Sequence, residues 1–217
     1  PKVIAPYEND GVFVPQSSSP KSCTFSAGPK GRESYALNCA SWVTLRAFCK
    51  FEGGDLPTEA QWEYVASAAG GTSKRRYAGA QTDASCSMAV VGRSSSTGCP
   101  NEPWASRLAV RGDDGAPMFE GDVTPLGVTG MTGYLSEFVL DNVAEYTDDC
   151  FASSPWNAVF CEGPVPDEAS GTDDSLRRVA RGGSWIAPPA LSRTTTRLKA
   201  VLAAPFLGAR CAYATQP

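Results

Sequence analysis

Sulfur without imidazole is the feature that most limits what this chain can build: eight cysteines and no histidine among 217 residues. An even cysteine count suits disulfide pairing in an oxidising compartment. No Cys-x-x-Cys pair occurs, and without histidine the common zinc ligand sets cannot be completed. The same absence removes the usual general base near neutral pH and every His-dependent triad. Any catalysis has to run on Cys, carboxylates, Lys, Tyr or Ser. Eight sulfurs allow 105 pairings, so the residues alone leave the connectivity open.

A hydrophobic share of 42% permits a real core, while 21 Gly and 17 Pro imply loops rather than a helical bundle. The net charge is a mild −4, and the basic runs Lys74-Arg75-Arg76 and Arg177-Arg178 are short. They do not form the broad positive field that nucleic acid requires, so no nucleic-acid partner is expected. No stretch reaches the ~18 apolar residues of a membrane span. The chain opens without a basic-then-apolar leader, and a processed form of a secreted or cell-surface protein is expected.

Residues 1–35 are punctuated by Pro, Ser and Gly around one β-like run, Gly11-Val12-Phe13-Val14, and read as an irregular arm. Residues 36–217 read as a single domain, since no repeat or linker divides them. A first helix follows Ser41, an N-cap residue, and places Trp42, Leu45 and Cys49 on one face before Gly53-Gly54 ends it. A second helix starts at Leu56-Pro57-Thr58-Glu59-Ala60-Gln61-Trp62, with Thr58 and Gln61 at capping-box spacing. Its apolar residues Trp62, Val65, Ala66 and Ala69 repeat at helical intervals up to Gly70-Gly71. From 72 to about 180 every apolar run is broken, which predicts loops with a few short strands, pinned by cysteines. Two strands, within 178–185 and 207–212, are expected around a long excursion.

Seven motifs then occur in order: Asn38-Cys39-Ala40-Ser41-Trp42, Ala47-Phe48-Cys49, Leu56-Pro57-Thr58-Glu59-Ala60-Gln61-Trp62-Glu63-Tyr64, Gly127-Val128, Gly133-Tyr134-Leu135-Ser136-Glu137-Phe138, Arg181-Gly182-Gly183-Ser184-Trp185 and Gly208-Ala209-Arg210-Cys211-Ala212. Together they resemble the sulfatase-modifying, formylglycine-generating enzyme family over roughly residues 36–213. The resemblance implies an α+β, loop-rich variant of the C-type lectin fold, with two helices, short antiparallel strands and disulfide staples. It also implies a bridge from the first helix to the last strand, Cys49 to Cys211. Such a bridge closes a loop of about 160 residues, worth roughly 4–5 kcal/mol by chain-entropy arguments. The remaining cysteines fall into neighbours: Cys23 with Cys39, Cys86 with Cys99, and Cys150 with Cys161.

Active members of that family oxidise a substrate cysteine to formylglycine with copper held by two cysteines shortly after Gly-Gly-Ser. The matching positions here are Ala187 and Ser192. Neither offers the soft thiolate that Cu(I) takes. The related sulfoxide synthases hold iron through histidines, which this chain lacks. The family's calcium segment corresponds to 133–138, where Glu137 remains but Tyr134 replaces an asparagine; Asn142, in the near-match Asn142-Val143-Ala144-Glu145-Tyr146, is the other candidate. No catalytic residue and no cofactor is therefore expected, with calcium at Glu137 and Asn142 the one metal left open.

Arg181, Arg193, Arg197 and Arg210 fit the family's arginine pattern and are expected to fix loops through charge-assisted bonds, with Glu137, Asp141 and Asp148 as partners. Glu59 and Glu63, one helical turn apart, read as structural rather than as a catalytic pair. Trp42, Trp62 and Trp185 are expected in the core; Trp104 and Trp156 serve as loop anchors or binding platforms. The segment 186–192 is apolar, stiffened by Pro188 and Pro189, and free of titratable groups. An inert, shaped surface at such a place suits binding. The expected contact residues are Trp185, Ile186, Pro188, Pro189, Leu191, Arg193 and Phe206. The reading is a non-catalytic bacterial surface or secreted module contacting a protein, a glycan or further copies of itself. The alternative is an enzyme with other chemistry on the same scaffold, marked by a cleft with a perturbed carboxylate or lysine.

Overall fold

Local chemistry starts both helices where the residue pattern places them. In the computed structural model, which describes residues 23–25, 34–67, 71, 74–79, 84–93, 99, 119–142, 178–200 and 203–214, α1 spans Trp42–Phe51 and α2 spans Glu59–Ala66. The Ser41 hydroxyl accepts from Thr44 N at 3.2 Å and caps α1. Gly53 ends it with φ +88°, a left-handed conformation that glycine adopts without strain. At α2 the capping box is complete: Gln61 N donates to Thr58 Oγ1 at 3.2 Å and Thr58 N to Gln61 Oε1 at 2.8 Å. The helix spans Glu59–Ala66 with Ser67 as its C-cap, and the Ser67 carbonyl accepts from Arg75 N at 3.1 Å. Ala69 lies outside the described residues.

Four strands form one sheet: β1 (Ser136–Asn142), β2 (Arg178–Arg181), β3 (Arg197–Ala200) and β4 (Leu207–Ala209), in the order β3-β2-β1-β4. β1 and β2 pair antiparallel, as do β2 and β3. The expectation of antiparallel strands alone is corrected by β4, which runs parallel to β1 with Ser136 opposite Leu207 and Phe138 opposite Ala209. After β3 the chain re-enters at the opposite edge of the sheet instead of forming a hairpin, so β4 shares the direction of β1. The two expected terminal strands are shorter than 178–185 and 207–212, and β1 lies between them.

Strand alternation sorts side chains to two faces. Phe138 and Ala180 join Trp42, Leu45, Cys49, Leu56 and Leu207 in one buried cluster under α1. Their neighbours Val139 and Val179 join Trp62, Ala66, Ala78 and Met131 in a second cluster under α2. The helices thus cover opposite faces of a sheet that is buried on both.

Three disulfides staple this frame: Cys23–Cys39, Cys49–Cys211 and Cys86–Cys99. Cys150 and Cys161 lie outside the described residues, as do Gly11 to Val14, Trp104 and Trp156. Of the N-terminal arm, residues 23–25 lie against the domain: Thr24 N donates to Asn38 Oδ1 at 2.8 Å, and Asn38 Nδ2 to Pro205 O at 2.7 Å. Among the described residues, no helix is long and apolar enough to cross a membrane.

Candidate functional site

The Arg-Gly-Gly-Ser stretch leaves β2 in a turn that only glycine permits. Gly182 has φ +77°, and a Cβ there would lie 2.8 Å from Met131 O and 3.1 Å from the Trp62 ring. A Cβ on Gly183 would lie 1.9 Å from Ser192 Oγ and 2.5 Å from the Thr132 carbonyl. The second glycine is therefore what lets Ser192 seat itself, 1% exposed, against the turn. Main-chain bonds then hold the segment from both sides. Trp185 N donates to Tyr134 O at 2.9 Å, Gly92 N to Ala187 O at 2.8 Å, and Arg93 N to Trp185 O at 2.6 Å. The 86–93 loop that supplies two of these is itself tied by Cys86–Cys99.

Beneath the turn, on the α2 face, lies a row of charge. The register sets Arg197 opposite Arg181 and Arg181 opposite Glu137. Arg181 is fully buried and donates to Glu63 Oε2 at 2.5 Å, Thr194 O at 2.7 Å and Thr196 O at 3.0 Å. Arg197 grips both oxygens of Glu59, which also lies 3.3 Å from Arg181. Arg210 takes both oxygens of Glu137, its Nε at 2.6 Å, and Trp62 Nε1 donates to the same carboxylate at 2.7 Å. Charge-assisted forks of this kind are strong and geometrically selective. Of the expected partners, Glu137 is correct; Asp148 and the Asp141 side chain lie outside the described residues. Glu59 and Glu63 supply the other carboxylates, which fits their structural reading.

The expected contact residues come together only in part. Leu191, 48% exposed, and Arg193 face outward, whereas Trp185, Ile186, Pro188, Pro189 and Phe206 are half-buried. Trp185 is less buried than expected; its Nε1 donates to Pro205 O at 3.2 Å, which brings residue 205 beside the turn. Phe206 packs against the α1 cluster, so much of its ring belongs to the core. Pro189–Leu191 form one 3-10 turn, with Leu191 N bonded to Pro188 O at 2.9 Å.

Two further residues underlie the site. Arg93 is buried, and its guanidinium donates to the Cys86 carbonyl; an arginine closing the apolar run Val90-Val91 was the available signal. Asp122 accepts from Thr132 N at 2.9 Å and Gly133 N at 3.1 Å, positioning the loop that meets Gly183 and Trp185. Burial pushes its carboxyl above the ordinary range, against those bonds. It is sealed beneath the loop rather than set in a cleft. Burial likewise raises the Tyr134 phenol.

Copper and calcium can be tested on the donor sets. Ala187 presents a methyl and Ser192 a buried hard hydroxyl pressed on Gly183, a pair that does not fit a thiophilic ion. Both oxygens of Glu137 are already engaged by a guanidinium and an indole, so a cation there would have to displace them. Asn142 lies in β1, opposite Arg178.

Comparison with known proteins supplies the family. The profile described as "Sulfatase-modifying factor enzyme 1-like domain" matches residues 16–215, reaching back into the N-terminal arm. The formylglycine-generating enzyme of Bos taurus is 26% identical over 159 residues, 67% of this chain and 34% of that protein. That of Mus musculus is 25% identical over 169 residues, 71% of this chain and 36% of that protein. The chain thus spans about a third of the length of these curated relatives. Among solved structures, Treponema denticola variable protein 1 shares the fold with a TM-score of 0.51 at 19% identity, covering 86% of this chain and 75% of that one.

Proposed function

The chain belongs to the sulfatase-modifying factor enzyme 1-like domain family, and from that membership we propose a non-catalytic binding or structural module, bacterial and secreted or surface-exposed. The donor set carries the reading: where active relatives present two thiolates, this chain presents Ala187 and a buried Ser192. The two glycines and the clamped arginines around those positions remain. Loss of the reactive atoms within that frame fits a scaffold kept for its shape. The three disulfides accord with an oxidising compartment. The contact surface is the outer side of the turn, with Leu191 and Arg193 exposed and Trp185, Ile186, Pro188, Pro189 and Phe206 as its half-buried bed. It meets a protein, a glycan or another copy.

Titration with Cu(I) against a competing chelator, followed by assay on a cysteine-containing sulfatase-type peptide, tests this reading. The expected result is no stoichiometric copper and no formylglycine. Retained copper with aldehyde formation would overturn it. The double variant Ala187→Cys/Ser192→Cys should gain Cu(I) binding if the frame alone was preserved.

A further inference from the structure

Lys74-Arg75-Arg76 is too short a run to hold a polyanion, but the fold adds a fourth cation to it. These three residues and Arg193 line one open pocket of about 620 Å³, with Ser67 and Thr195 also in its wall. Glu63 also reaches the lining, yet its carboxylate is held at 2.5 Å by the buried Arg181, so its charge is already offset. Among the described residues, no carboxylate pairs with Lys74, Arg76 or Arg193.

Hydrogen bonds to main-chain carbonyls fix both walls. Thr194 N donates to Arg76 O at 2.8 Å, Thr194 Oγ1 to Arg75 O at 2.8 Å, and Arg75 N to Ser67 O at 3.1 Å. Arg75 is further tethered through its guanidinium to Gly79 O at 3.0 Å. The cations are thus brought together before any ligand arrives, which lowers the ordering cost of binding. Four cationic residues thus line one concavity in a chain whose net charge is −4.

We propose that this pocket is an oxyanion site, shaped for the phosphate or sulfate group of a small ligand. Guanidinium forks match the paired oxygens of such groups, and Ser67 and Thr195 carry hydroxyls that can donate to the rest. The site does not depend on the non-catalytic reading; it shares only Arg193 with the proposed contact surface.

Isothermal titration of the full chain at low ionic strength, with inorganic phosphate, inorganic sulfate, a sugar phosphate and a sugar sulfate, tests the site. Saturable 1:1 binding is expected, weakening as salt rises. Arg76→Gln and Arg193→Gln should each weaken it about fivefold, and the pair together by more than either alone. Both residues are exposed, so thermal unfolding of the variants should match the parent. Tighter binding of an ester than of the free ion assigns the ester as ligand; equal binding assigns the ion. No saturable binding by any of the four, or binding that the double variant leaves unchanged, overturns the proposal. Neither outcome touches the copper assay.

Discussion

The two faces of the sheet hold their helices by different chemistry. On the α1 face the contacts are apolar, reinforced by one covalent bridge: Trp42, Leu45 and Cys49 pack on Phe138, Ala180 and Leu207, and Cys49 is bonded to Cys211. Its buried cation, Arg178, lies over the Trp42 ring at 3.7 Å. On the α2 face the helix is eight residues long and is held by ion pairs that cross from Glu59 and Glu63 to β2 and β3. Trp62 and Ala66 bury a short apolar stripe of this helix, and the guanidinium forks add anchorage and fix its orientation. The Arg-Gly-Gly-Ser turn rises from that second face.

The largest test of this contrast is sulfur. Cys49→Ser with Cys211→Ser opens a closure of 162 residues and should lower stability by about 4–5 kcal/mol in denaturant unfolding. A loss below about 1 kcal/mol would mean that apolar packing alone holds α1. Arg181→Met should cost about 3 kcal/mol, because the Thr194 and Thr196 carbonyls and the half-buried Glu59 and Glu63 all lose the buried guanidinium. That loss should persist under reducing conditions, which separates the two faces. Trp62→Phe removes one bond to the Glu137 carboxylate while Arg210 stays in place. Its cost should be about 2 kcal/mol, read from the shift in the unfolding midpoint.

The smallest effect belongs to Asp55, which joins the α1 face to the chain end through main-chain bonds with Ala212 at 3.0 and 2.8 Å. Burial would raise its carboxyl, but hydrogen bonds from Lys50, Arg46 and Leu56 N outweigh burial and hold it below the ordinary value. Its contribution is therefore complete above the unfolded pKa of about 3.9 and is lost as pH falls through the lower folded value. Asp55→Asn should cost under about 1 kcal/mol near neutrality and flatten the acid limb of the stability profile. An unchanged acid limb would show that these surface pairs contribute nothing.

Features that depend on neighbours a few positions apart were legible in the residues. The Ser41 cap, the Thr58–Gln61 box and the buried faces of both helices all arise within one or two turns of chain. Resemblance to a family added the Cys49–Cys211 bridge, which spacing alone left among 105 options. Ala187 and Ser192 were readable for the same reason, since a missing donor atom needs no coordinates to be noticed.

What stayed hidden depends on distant segments meeting. Glu59 and Arg197 are 138 residues apart, and Glu63 and Arg181 118 apart; nothing local announces such partners. The parallel edge strand follows from the side of the sheet on which the chain re-enters, and composition is silent on that. Lys74 to Arg76 is only a short basic run in the sequence, and Thr194 ties it beside Arg193 in the fold. Short-range hydrogen bonds and periodicity are written in the order of residues, while charge constellations and pockets exist only once the folded path has brought their parts within a few ångströms.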